Sequence, residues 1–127
     1  MVKKFFAVIM ASVTVFALAA SVFAYSFSYR TEIYDYTSTS RSYRAITKVS
    51  AGGKVDIITA GLKCLRLDNG NAVGEDFWSE KNATEVEAFA SVPYNPYGMS
   101  VRGFGSHSAY KNGQTLLYEF TQTANVA

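Results

Sequence analysis

The stretch that decides the fold runs from Thr84 to Thr123. It opens Thr84-Glu85-Val86-Glu87-Ala88-Phe89-Ala90-Ser91-Val92, breaks at a Pro/Asn/Gly segment, and resumes from Met99 to Tyr110. Lys111-Asn112-Gly113-Gln114 then leads into Thr115 to Thr123. Three alternating runs parted by turn residues are the pattern of an antiparallel β-meander. Val86, Ala88, Ala90 and Val92 form the buried face of the first run. Met99, Val101, Gly103, Gly105 and Ala109 share a face of the second, and Leu116, Tyr118 and Phe120 share one of the third. The small residues in the middle predict close approach by something bulky from an opposing sheet, with Trp78 or Phe27 as candidates.

Upstream, Tyr25 to Tyr36 alternates with Phe27, Tyr29, Thr31 and Ile33 on one side. Its aromatic and β-branched character predicts a strand in the middle of a sheet. Thr37 to Ser42 is a hydroxyl-rich connection. Tyr43 to Val49 is a second strand, with Tyr43, Ala45, Thr47 and Val49 on one face. Ala51-Gly52-Gly53-Lys54 is a tight turn, because paired glycines supply positive φ. Val55 to Thr59 is a third strand, and Gly61 predicts a bulge or break in it. Leu62 to Leu67 fits a strand or a short helical turn, with the strand favoured because the hairpin signal Asp68-Asn69-Gly70-Asn71 follows. Ala72 to Trp78 is a return strand or a loop carrying Phe77 and Trp78, and Ser79 to Ala83 is a polar connection.

About six to eight short strands with recurring turn signals predict an all-β chain folded as an antiparallel β-sandwich. That domain is expected over residues 25–127, after a signal peptide at 1–24. Lys3-Lys4, then an apolar run from Phe5 and small residues at Val22-Phe23-Ala24, are the parts of a cleaved secretory signal. Cleavage is placed after Ala24, with an earlier cut near Ala19 or Ala20 as the alternative. An uncleaved anchor is the other reading, since about 20 apolar residues can span a bilayer. Contact with a membrane is expected only through this segment during export, and the protein is expected outside the cell.

The chain carries 12 basic and 10 acidic residues. Lys3 and Lys4 leave with the signal, so the secreted part is formally neutral. That argues against nucleic acid as a partner, which needs a clustered positive surface. The single cysteine, Cys64, cannot form an intramolecular disulfide. Lying between apolar neighbours, it reads as a buried small hydrophobe.

Chemistry-bearing constellations are few. His107 is the single histidine and shares the parity of Val101 and Ala109, so it reads as a hydrogen-bonded core residue. Ser106 and Ser108 point to the other strand face, and no nucleophile elbow is present. One histidine and one cysteine do not make a zinc site of the usual composition, and Asp68-Asn69-Gly70-Asn71 lacks the ligand spacing of a calcium loop. Glu85 and Glu87 project from one strand face at a spacing that admits a glycan hydrolase, but the simpler reading is the solvated side of a half-buried strand. No catalytic residue, metal or cofactor is therefore expected. Nine tyrosines and one tryptophan remain as a binding signal. Exposed aromatic platforms bind sugars or peptides, and the candidates are Tyr94, Tyr97 and Trp78. A cell-wall glycan or a surface protein is the expected partner.

The Lys3-Lys4 signal, the Tyr25-Ser26-Phe27-Ser28-Tyr29 opening, and Gly105-Ser106-His107-Ser108-Ala109-Tyr110 followed by Asn112-Gly113 carry a resemblance. The chain resembles the small secreted single-sandwich proteins of Gram-positive bacteria, and within them is loosely similar to lactococcin-type bacteriocins. That resemblance implies a secreted antimicrobial acting on cell-wall synthesis. It extends over scattered strands, and Gly52 to Lys81 has no counterpart in the short bacteriocins. It supplies no catalytic residues.

Overall fold

The computed structural model describes residues 25–93 and 100–124. The expected signal segment 1–24, the candidate residues Tyr94 and Tyr97, and Met99 lie outside the described residues. Seven strands follow one another: Ser26–Tyr36 (β1), Ser40–Ala51 (β2), Val55–Arg66 (β3), Ala72–Ala83 (β4), Glu85–Pro93 (β5), Val101–Lys111 (β6) and Gln114–Gln122 (β7). They form two antiparallel sheets, ordered β1-β2-β5 and β4-β3-β6-β7. The sheets enclose a shared apolar core, so the fold is an all-β sandwich.

The first two strands bury the faces that their alternation predicts. Phe27, Tyr29, Thr31 and Ile33 of β1, and Tyr43, Ala45, Thr47 and Val49 of β2, all point into the core. Ile58, Ala60, Leu62 and Cys64 answer them from β3. Burying each large side chain contributes roughly 1.5–3 kcal/mol, which offsets the conformational entropy of ordering the strands. Gly52 and Gly53 both hold positive φ where the chain leaves one sheet for the other. Gly70 does the same in the β3–β4 hairpin. Ser79 to Ala83, expected as a connection, continues β4.

The expected meander is not formed. β5 pairs with β2, whereas β6 and β7 belong to the other sheet. Alternation reports that a run is a strand and which face it buries, but not which strand lies beside it. Here β2 suits β5 better: Lys48 lies opposite Glu85, and Arg44 reaches Glu87 at 3.2 Å. β1 is an edge of its sheet rather than a middle strand. Its outer face carries Arg30, Glu32 and Asp35, and charge of this kind protects an edge from pairing.

Gly61 does not break β3, which runs unbroken across it. Its missing side chain makes room instead, since a Cβ there would strike Ser106 Oγ and lie 3.2 Å from the Phe77 ring. The small residues of β6 are occupied from the opposite sheet, but not by Trp78 or Phe27. A Cβ on Gly103 would stand 2.8 Å from the Tyr43 ring, and one on Gly105 would land on Thr31 Oγ1. Trp78 is exposed, and Phe27 stacks on Tyr25 with ring centroids 6.1 Å apart.

Candidate functional site: an aromatic trough on the four-stranded sheet

The outer face of the four-stranded sheet has an order that follows from its register. One cross-strand row reads Phe77, Gly61, Ser106 and Phe120 from β4 to β7. The row on one side reads Glu75, Lys63, Phe104 and Gln122, and that on the other Ser79, Thr59, Ser108 and Tyr118. In the central row the large aromatic residues stand on the two outer strands and the small ones, Gly61 and Ser106, on the two inner strands. Phe77 and Phe120 are three strand spacings apart, about 14 Å across the sheet. Between them lies a trough of about 570 Å³, with Gly61 and Ser106 in its floor and Phe77, Phe104 and Phe120 against it. Lys63 and Glu75 bring charge to the trough.

The walls are open to solvent. Phe77 is 61% and Phe120 65% exposed, although a sheet face of this size normally turns such residues inward. Tyr118 meets Phe120 edge-on, with centroids 5.3 Å apart. Ser106 puts a hydroxyl in the floor, and in the neighbouring row the hydroxyls of Thr59 and Ser108 are hydrogen-bonded to each other. An apolar wall with a hydroxyl floor can hold a ligand that offers C–H surface at its sides and hydrogen-bonding groups beneath.

The outer face of the other sheet differs in kind. Arg44 is paired with Glu32 and with Glu87, and Arg30 lies 3.4 Å from Glu32. Arg44 also stacks over the Tyr34 ring at 4.9 Å. Glu87 is thus held in an ion-pair lattice and Glu85 stands in register with Lys48, the arrangement of a solvated charged face.

His107 is 1% exposed and lies between the sheets. Its Nδ1 is 2.8 Å from Thr47 Oγ1, and its Nε2 is 2.7 Å from Thr121 Oγ1. Thr47 donates its hydroxyl proton to the Thr59 carbonyl at 2.8 Å, so Nδ1–H must donate to Thr47. Nε2 then accepts from Thr121, whose oxygen in turn accepts from Thr31 at 2.6 Å. Every hydroxyl in the chain thereby has one donor role. Burial pushes the imidazole pKa down to about 3, with a backbone hydrogen bond at Ile46 opposing it in part. Ser106 and Ser108 lie on the outer side of β6, away from the ring.

Of the residues singled out in the sequence, Trp78, His107 and Cys64 lie among the described ones. Trp78 follows Phe77 but takes the opposite face of β4, beside Glu80, Glu85 and Glu87 in a separate cleft. It is 54% exposed, and its Nε1–H donates to Glu80 Oε2 at 2.8 Å. Cys64 is buried in the core, where burial pushes its thiol up to about 12. Among the described residues, no three His, Cys, Asp or Glu side chains converge as a metal would require.

The trough was readable only in part. Phe104 has the parity opposite to Val101 and Gly103, which places it outside. Leu116, Tyr118 and Phe120 do not end on a buried face: Leu117 is buried, whereas Tyr118 and Phe120 face solvent. A register shift near Tyr110 leaves Leu116 as the unpaired extra residue. Leu116 itself packs partly on the core.

By sequence, the chain matches no family model and no curated protein. By structure, it is similar to the CARDB domain of a Pyrococcus furiosus protein, with TM-score 0.51 and 12% identity over 92% of this chain and 94% of that one. It also matches the human F-spondin reeler domain, with TM-score 0.47 and 16% identity over 77% of this chain and 90% of that one. A glycosyl hydrolase family 2 member from Bacteroides cellulosilyticus gives TM-score 0.48 and 9% identity over 74% of this chain, which spans only 13% of the hydrolase. The first of these supports the sandwich fold, and the other two are too distant to carry an argument.

Proposed function

We propose that this is a secreted, non-catalytic β-sandwich that works by binding at or outside the cell surface, with the aromatic trough as its binding surface. The ligand class proposed is a cell-wall glycan. The observation that carries this reading is the row Phe77-Gly61-Ser106-Phe120, which sets exposed aromatic walls around a small, hydroxylated floor. Sugar rings present apolar C–H faces that stack on aromatic rings, and hydroxyls that pair with a polar floor. A solvated face gains nothing from two exposed phenylalanines beside a half-buried third, so a patch of this kind marks an interaction site.

Fractionation of the producing cells tests the location, with the protein expected in the medium or on the wall and beginning at Tyr25. Recovery in the cytoplasm with Met1 intact would contradict it. Sedimentation of purified protein with insoluble cell walls tests the binding. The bacteriocin-like reading predicts instead that the purified protein stops the growth of neighbouring Gram-positive strains.

A further inference from the structure

The sandwich has four edge strands, and three of them are guarded. β1 carries Arg30, Glu32 and Asp35, and β4 carries Glu75, Asp76, Glu80 and Lys81. β5 ends in Pro93, and its Phe89 amide is already taken by Asp76 Oδ2 at 3.1 Å. Charges, proline and occupied amides all discourage a further strand. β7 differs: Gln114-Thr115-Leu116-Leu117-Tyr118-Glu119-Phe120-Thr121-Gln122 holds one charge and no proline. Its guards are the single charge of Glu119 and the bulge near its start, after which the ladder to β6 is regular from Leu117 to Gln122. Among the described residues, no strand lies on its other side.

We propose that β7 pairs antiparallel with β7 of a second copy of this chain, about a two-fold axis at Phe120, to give one continuous eight-stranded sheet. The occupant is a second copy because the strand complements itself in this register. Phe120 lies opposite its symmetry mate, Tyr118 opposite Gln122, and Glu119 opposite Thr121. No like charges meet, and the exposed rings gain aromatic contact across the new ladder. A two-fold at Glu119 would set carboxylate against carboxylate, and one at Tyr118 would run into the bulge. Such a dimer is isologous and closes on itself, so it does not propagate into fibres. Because the axis is normal to the sheet, both troughs open on the same side and share the two Phe120 rings as a common wall.

Analytical ultracentrifugation of the purified protein is the test, with a dimer expected. Phe120→Lys sets two ammonium groups face to face at the axis, so it is expected to be monomeric with an unchanged circular dichroism spectrum. Phe77→Lys, on the opposite edge of the same sheet, is expected to stay dimeric. Directly opposed residues stand about 4.5–5.5 Å apart, within disulfide reach. Phe120→Cys is therefore expected to form a covalent dimer in oxidised glutathione, which wild type, with only the buried Cys64, does not. A monomer at every concentration, including one that captures unrelated extended peptides on this edge, would overturn the proposal. So would a Phe120→Lys dimer, or a Phe120→Cys chain that stays uncrosslinked.

Discussion

His107 on β6 and Thr47 on β2 are joined across the sandwich, imidazole Nδ1 to hydroxyl Oγ1 at 2.8 Å. The bond ties one sheet to the other through the core, and Thr121 completes it on the far nitrogen. Removing the ring leaves two threonine hydroxyls without their partner and opens a cavity. His107→Ala is expected to lower stability by about 1–3 kcal/mol or more, while the folded fraction keeps its binding. Chemical denaturation of the two proteins checks it, and an unchanged midpoint would contradict a structural role.

The same histidine sets a pH dependence. Its folded pKa of about 3 lies below the ordinary value of 6.5. Between those values the unfolded chain binds the extra proton and the folded chain does not, so stability is fully present above pH 6.5 and falls as the pH drops toward 3. Unfolding midpoints near neutrality and at about pH 4 should therefore differ more for wild type than for His107→Gln.

Gly105→Ala would place a methyl group on Thr31 Oγ1, with Thr121 Oγ1 and His107 Nε2 only 3.0 and 3.1 Å away. The hydroxyl chain must then break or β6 must shift. A loss of roughly 1–3 kcal/mol is expected from overpacking alone. Gly70→Ala is the contrasting case, because nothing lies within 4 Å and only its positive φ opposes the change. A thermal melt that ranked Gly70→Ala below Gly105→Ala would speak against the role given to Thr31.

The thiol of Cys64 is buried, and burial holds its pKa at about 12. Thiolate is the reactive form, so labelling by a thiol reagent is expected only after unfolding. Rapid labelling of the folded protein would mean that the core opens at this point.

Alternation in the sequence was enough to show most strands and which faces of β1, β2 and β5 turn inward, because a period of two follows directly from burial on one side; it missed the end of β4, where Ser79 to Ala83 reads as a connection. It did not show that β5 crosses to the other sheet. That depends on pairing partners such as Lys48 with Glu85, far apart in the chain. The trough was hidden for a related reason. Phe77, Phe104 and Phe120 sit on three different strands, and only the register of the sheet brings them round Gly61 and Ser106. Trp78, a candidate as an aromatic platform, is sent by alternation to the opposite face from Phe77.

Co-sedimentation with insoluble cell walls, measured for wild type and three single variants, tests the binding surface most directly. Phe77→Ser and Phe120→Ser remove opposite walls of the trough. Phe89→Ser removes a ring that is 59% exposed, but on the other sheet. None of the three is buried within a single chain, so each is expected to keep the stability of the monomer fold within about 0.5 kcal/mol. Wild type and Phe89→Ser are expected to sediment with the walls, and the two trough variants to stay in solution. Equal binding by all four proteins, or by none, would contradict a glycan site in the trough.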